Sequence, residues 1–252
     1  MNIEGNNSRV LGRLLEELSW MGQKIKEYRQ GGKGFENVLT AEVFQSLDFL
    51  PRQAFLGAIV KASHGALEAR IKLQKEIEEA KFTLLPSNFY LIPSASVHRN
   101  GLAVQPDGII QTPSTFVLLE AKRIRHSSFQ AEQLAREFVL VMKEALERNN
   151  QPILWLILGS EPPMLIRGHG RQNPIDAIEI YLESVLERSE NHTFEKSKLL
   201  QEAHKVVCWT TWQTISAVVS EQLANLDIPD KSTKNCVERL ANSIVQSIIW
   251  HS

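Results

Sequence analysis

Residues 115–158 set one long amphipathic stretch between two apolar, strand-like runs, and no other feature of the chain restricts its fold as much. The first run, 115–125, contains Val117, Leu118, Leu119 and Ala121. The second, Ile153 to Leu158, is wholly apolar, as in a strand buried on both faces. Between them, 127–149 repeats apolar residues with the helical period, placing Ala131, Leu134, Ala135, Phe138, Met142, Ala145 and Leu146 on one stripe. A helix between two strands is the crossover that parallel pairing needs. Upstream, Arg99-Asn100-Gly101 and Thr112-Pro113-Ser114 punctuate strand-like segments at 89–98, 102–111 and 115–125, which meander as antiparallel neighbours. Antiparallel strands leading into a helical crossover predict an α/β fold, with a central mixed sheet flanked by helices.

The flanks read as additional helices. Residues 8–29 carry Leu11, Leu14, Leu15, Leu18 and Ile25 at helical spacing, and Gly31-Gly32 ends that run. A second helix is expected over 35–49, and 52–81 reads as mostly helical, its charged end being a solvated face. After the core, a helix at 175–188, a strand at 206–210 and helices at 211–225 and 232–249 complete the chain. The last helix places Val237, Leu240, Ile244, Val245 and Ile248 on a face suited either to the core or to a homo-oligomer contact. With no repeats or linker-like segments, the expectation is one domain over 1–252, with a core at about 30–160 and an extension over 161–252.

Composition excludes some classes. The chain is 43% hydrophobic and 23% charged, as in an ordinary globular protein. No apolar run approaches the ~20 residues of a membrane helix. Residues 1–7 are polar and lack a signal-peptide core, so a cytoplasmic location is expected. Cys208 and Cys236 are expected to be buried free thiols, and the seven scattered histidines form no zinc-type pair. No Walker A loop, dinucleotide-type glycine fingerprint or Gly-x-Ser-x-Gly elbow is present. A net charge of −1 argues against tight, sequence-blind binding of nucleic acid, though it does not exclude a local basic groove.

The hairpin before the crossover concentrates the chemistry. With Pro113 and Ser114 as the two central turn residues, residues whose numbers sum to 227 face each other. Asp107 then lies opposite Glu120, with Cβ atoms about 4.5–5.5 Å apart. Lys122, two residues beyond Glu120, falls on the same face. Ionisable groups in so apolar a strand need partners. A hard divalent cation removes the repulsion between two carboxylates, and Mg²⁺ is commonly held by one or two carboxylates with water and phosphate. Lys122 could then orient the attacking water or stabilise charge on the phosphate. A buried Glu–Lys or Asp–Lys ion pair fits the residue types equally well.

The wider pattern resembles the PD-(D/E)XK nuclease superfamily, the restriction-endonuclease-like fold. The match is Pro106-Asp107, 12 intervening residues, then Glu120-Ala121-Lys122, with Gly32 to Val38 similar to the Phe-Glu helix of Mrr-like members. The resemblance covers roughly 30–160. It implies Asp107, Glu120 and Glu36 as metal ligands, Lys122 as the catalytic lysine, and a restriction-endonuclease-like core with added N- and C-terminal helices. It also implies a site glutamine on the helix after the motif. Gln130, Gln133 and Glu137 share one face there, and Gln133 is the better candidate because Ser127 and Gln130 have capping-box spacing. Glu137 stands where many members carry a tyrosine. Glu42 is a weaker acidic candidate.

Arg123 and Arg125, at the exit from the strand, and Arg167 and Arg171, in Arg-Gly-His-Gly-Arg, are candidate phosphate contacts; a solvated loop explains the latter pair as well. Trp209 and Trp212 read as core residues. The resulting expectation is a Mg²⁺-dependent nuclease acting on DNA, with Mn²⁺ as a substitute and RNA still open. The alternative is a non-catalytic module on the same scaffold that binds nucleic acid or a protein.

Overall fold

All seven residues of one strand, Thr115–Ala121, are buried, and the rest of the chain is arranged around it. The computed structural model describes residues 35–91, 102–122, 128–189 and 194–251. The helix expected over 8–29 lies outside them.

In chain order, the elements are α1 (Phe35–Phe49), α2 (Leu56–Ala62), β1 (His64–Gly65), α3 (Leu67–Lys75), a short 3₁₀ turn (Ile77–Glu79), β2 (Lys81–Leu84), β3 (Phe89–Leu91) and β4 (Leu102–Val104). They continue as β5 (Gly108–Gln111), β6 (Thr115–Ala121), α4 (Ala131–Arg148), β7 (Gln151–Leu158), β8 (Met164–Ile166) and β9 (Gly170–Gln172). The last are α5 (Pro174–Arg188), α6 (Lys196–Val206), β10 (Val207–Thr211), α7 (Trp212–Asn225) and α8 (Lys231–His251).

Six strands form one mixed sheet in the order β1-β10-β7-β6-β5-β2. β6, β7 and β10 are parallel, as the crossover helix α4 requires, whereas β5 and β2 continue antiparallel on one side and β1 on the other. The chain is thus an α/β protein with a central mixed sheet packed against helices.

Alternation along the strands sends successive side chains to opposite faces. Val117, Leu119 and Ala121 join Ile153, Trp155 and Ile157 in a core with residues of α1, α2, α3, α7 and α8. Phe116 and Leu118 join Leu154 and Leu156 in a second core with α4, α5 and α6. By this alternation, Glu120 belongs to the α4 face. The stripe on α8 is core: Val237, Ile244 and Ile248 are buried against the first face, with Leu240 and Val245 partly so.

Several expectations need correction. Residues 102–111 are not one strand. β4 pairs with β3 in a separate two-stranded sheet, and the chain breaks at Gln105-Pro106-Asp107 before β5. Proline lacks the N–H that a ladder requires. The stretch 52–81 is mostly helical, as α2, α3 and the 3₁₀ turn, but β1 interrupts it and its last residue, Lys81, opens β2. At β1, Gly65 has φ +78, and a Cβ there would lie 2.2 Å from the Val207 carbonyl oxygen, so only glycine permits this approach. The Arg-Gly-His-Gly-Arg segment forms the β8–β9 hairpin, α6 was not anticipated, and Cys236 is exposed while Cys208 is buried. Among the described residues, no helix is long and apolar enough to cross a membrane.

Candidate active site

The β5–β6 turn is as tight as the register argument assumed. Gly108 faces Leu119 and Gln111 faces Phe116, so paired numbers sum to 227. The ladder ends one pair short of Asp107 and Glu120. Asp107 nevertheless stays beside β6. Its N–H donates to the Leu119 carbonyl at 3.0 Å, and its Oδ2 accepts from the Ala121 N–H at 2.7 Å. The Asp107 carboxylate thus satisfies an N–H that β5 leaves unpaired, which fixes it between Glu120 and Lys122 along the chain.

Glu120 is 2% exposed. Its Oε1 accepts from Lys122 Nζ at 2.6 Å and from Gln133 Nε2 at 2.8 Å. The lysine has left the regular ladder, but its backbone is held on both sides. Its N–H donates to the Ile157 carbonyl at 2.9 Å, and its own carbonyl accepts from Trp212 Nε1 at 2.7 Å. Its ammonium also lies 5.4 Å from the centre of the Phe129 ring, within cation–π range.

Gln133 lies in the first turn of α4, where the helix passes over β6. The same amide nitrogen donates to Glu137 Oε1 at 2.8 Å, one turn further along. Glu137 is fully buried. Burial, and next the charge of Glu120, push its carboxyl well above the ordinary value; Lys122 and Gln133 oppose them only in part. Sequence reasoning placed Glu137 on one face with Gln130 and Gln133, in the position of a tyrosine, but did not count it among the site residues. Its clearest signal was a carboxylate flanked by Leu134, Phe138 and Val141 at helical spacing.

The other candidates sit as follows. Glu36 is in the first turn of α1, and its side chain lies outside what the structure describes; Arg123 and Arg125 also lie outside the described residues. Arg167 and Arg171 are exposed on the β8–β9 hairpin. That hairpin is seated beside the site, because Phe129 donates to the Leu165 carbonyl at 3.0 Å and accepts from Arg167 N–H at 2.9 Å. Glu42 is engaged elsewhere, 3.7 Å from His251 Nε2 on α8. Gln130 precedes α4 as its N-cap without a side-chain cap bond, so a capping box from Ser127 does not begin the helix.

The donor set bears on whether a metal fits. Glu120 Oε2 and Glu137 Oε2 are buried, and no described residue donates to either. Two carboxylate oxygens without donors suit a hard cation. Among the described residues, no three of His, Cys, Asp and Glu come together as a metal-binding group, so Asp107 is not gathered with both glutamates.

Comparison with models of known protein families, with curated proteins and with solved structures found no match.

Proposed function

We propose that this chain is a divalent-metal-dependent nuclease of the PD-(D/E)XK type, hydrolysing DNA phosphodiester bonds on a restriction-endonuclease-like core. The observation that carries this reading is the Glu120–Lys122 contact of 2.6 Å at the end of a fully buried strand, with Asp107 bonded to the residue between them. A purely structural ion pair would not call for a second acid fixed at the same strand end, nor for a glutamine holding one carboxylate oxygen.

In this reading, Asp107 and Glu120 hold Mg²⁺ or Mn²⁺, with Glu36 as a further ligand. When bound, the cation supplies Lewis-acid activation of water and phosphate. Gln133 keeps the Glu120 carboxylate oriented from α4. Lys122, whose backbone is clamped between β7 and α7, orients the nucleophilic water and stabilises negative charge on the phosphate. Arg167 and Arg171 supply backbone phosphate contacts from the hairpin that docks on Phe129.

The test is incubation of purified protein with linear, circular and single-stranded DNA, and with RNA, in Mg²⁺, Mn²⁺ or chelator. Cleavage should require the cation. Asp107→Ala and Lys122→Ala should each lower the rate by about 10²–10³-fold, the scale seen when a preorganised electrostatic group is removed. Cleavage that persists in both variants sinks the assignment. The exposed Arg167 and Arg171 also support a second reading, a non-catalytic nucleic-acid-binding module. Salt-sensitive DNA binding without cleavage in any cation would select it.

A further inference from the structure

Glu137 is a poor fit to a role in packing alone. A carboxylate in the middle of a buried helix face needs either a full set of donors or a compensating charge. Gln133 supplies one donor, to Oε1, and shares the same nitrogen with Glu120 Oε1, both at 2.8 Å. A single amide therefore holds one carboxylate from β6 and one from α4 side by side. The second oxygen of each, Oε2, is buried and receives no donor from any described residue. Glu120 is 2% exposed and Glu137 0%, so water does not solvate them freely.

Charge leads to the same place. Among the described residues, the cation seen in contact with the pair is Lys122, at 2.6 Å from Glu120. Both carboxylates ionised beside one ammonium would leave one negative charge uncompensated in a dry site, a costly state that a proton on Glu137 or a bound cation relieves. Two donor-free oxygens on adjacent carboxylates are the ligands that hard divalent cations take. We propose that Glu137 and Glu120 together bind a divalent cation of the Mg²⁺ or Mn²⁺ class through their Oε2 oxygens, with Gln133 as the positioning residue that holds the two carboxylates in register. The ligand set then bridges strand and helix and is not confined to the β5–β6 hairpin. This inference rests on the reading of the site as metal-dependent.

The probe is Mn²⁺ alone, without DNA, followed by calorimetry, by the Mn²⁺ electron paramagnetic resonance signal and by the cation-induced rise in Tm. The proteins compared are wild type, Glu137→Gln, Glu120→Gln and Asp107→Asn. Glu137→Gln preserves shape and removes the charge, so it should fold as well as wild type in chelator. It should bind Mn²⁺ at least the roughly 10–100-fold more weakly that follows loss of even a supporting partner, and lose most of the Tm rise. Wild-type affinity in Glu137→Gln, with affinity lost in Glu120→Gln, overturns the role of Glu137 and leaves the metal-dependent reading intact. Absence of Mn²⁺ binding by wild type overturns both. Crystals of wild type soaked in Mn²⁺ give a measurement independent of any variant's folding. An anomalous peak touching Glu120 and Glu137 supports the proposal, and one touching Asp107 and Glu120 without Glu137 refutes it.

Discussion

The Gln133 amide reaches two carboxylates at 2.8 Å each, and leucine at this position would take a donor from both in a pocket with little water. Leaving buried acceptors without a partner costs about 1–3 kcal/mol. Gln133→Leu is therefore expected to destabilise the protein on that scale, read as a lower urea midpoint with unchanged m-value. An unchanged midpoint would mean that the amide holds nothing in place. Much of this cluster was legible residue by residue. A period of two put Lys122 beside Glu120, and a two-residue turn brought Asp107 to the same strand end. Glu137 was harder to read. Its helix is buried around most of its circumference, because α5 packs against it as well as β6 and β7, and periodicity describes a helix with one buried face.

Among the elements, the β5–β6 hairpin has an external latch that the sequence did not suggest. Glu76, just after α3, accepts from the Thr112 hydroxyl at 2.6 Å and from the Ser114 N–H at 3.0 Å, so it grips the turn that sets the register of the site. Burial alone would raise its carboxyl, but these hydrogen bonds win and hold it below the ordinary 4.5. A depressed folded-state value gives stability that is fully present above the unfolded value and is lost as pH falls through the folded one. Glu76→Ala should accordingly lower stability at pH 7, and the gap from wild type should narrow as the pH falls below 4.5. Denaturant titrations of both proteins across that range measure it; a gap that stays constant rejects the latch. Turn residues revealed the hairpin because Pro113 acts locally, whereas Glu76 acts across sequence. β1, only two residues long, was likewise invisible because its pairing, not its composition, makes it a strand.

At the scale of the molecule, one sheet separates two cores, each of which depends on the other through strands buried on both faces. Phe44 packs edge-on against Trp155 on one side, with centroids 5.9 Å apart, and Phe138 is fully buried on the other. Phe44→Ala and Phe138→Ala should each cost about 3–5 kcal/mol and shift one common transition. Circular dichroism and tryptophan fluorescence should then give coincident unfolding curves; two separated transitions would show that the layers unfold independently. The mixed sheet was legible because a strand–helix–strand order leaves few alternatives, whereas the placement of 161–251 was not, since periodicity locates its long helices but not the neighbours they pack against. That late segment also governs the order of assembly. His64 pairs with Trp209, across more than half of the 252-residue chain, and Trp212 donates to the carbonyl of Lys122. On a chain emerging from the ribosome, the edge of β7 and the end of β6 stay open until β10 and α7 arrive. Such a nascent chain carries an unpaired parallel edge while residues 159–206 are made, a period in which edge-to-edge association competes with folding.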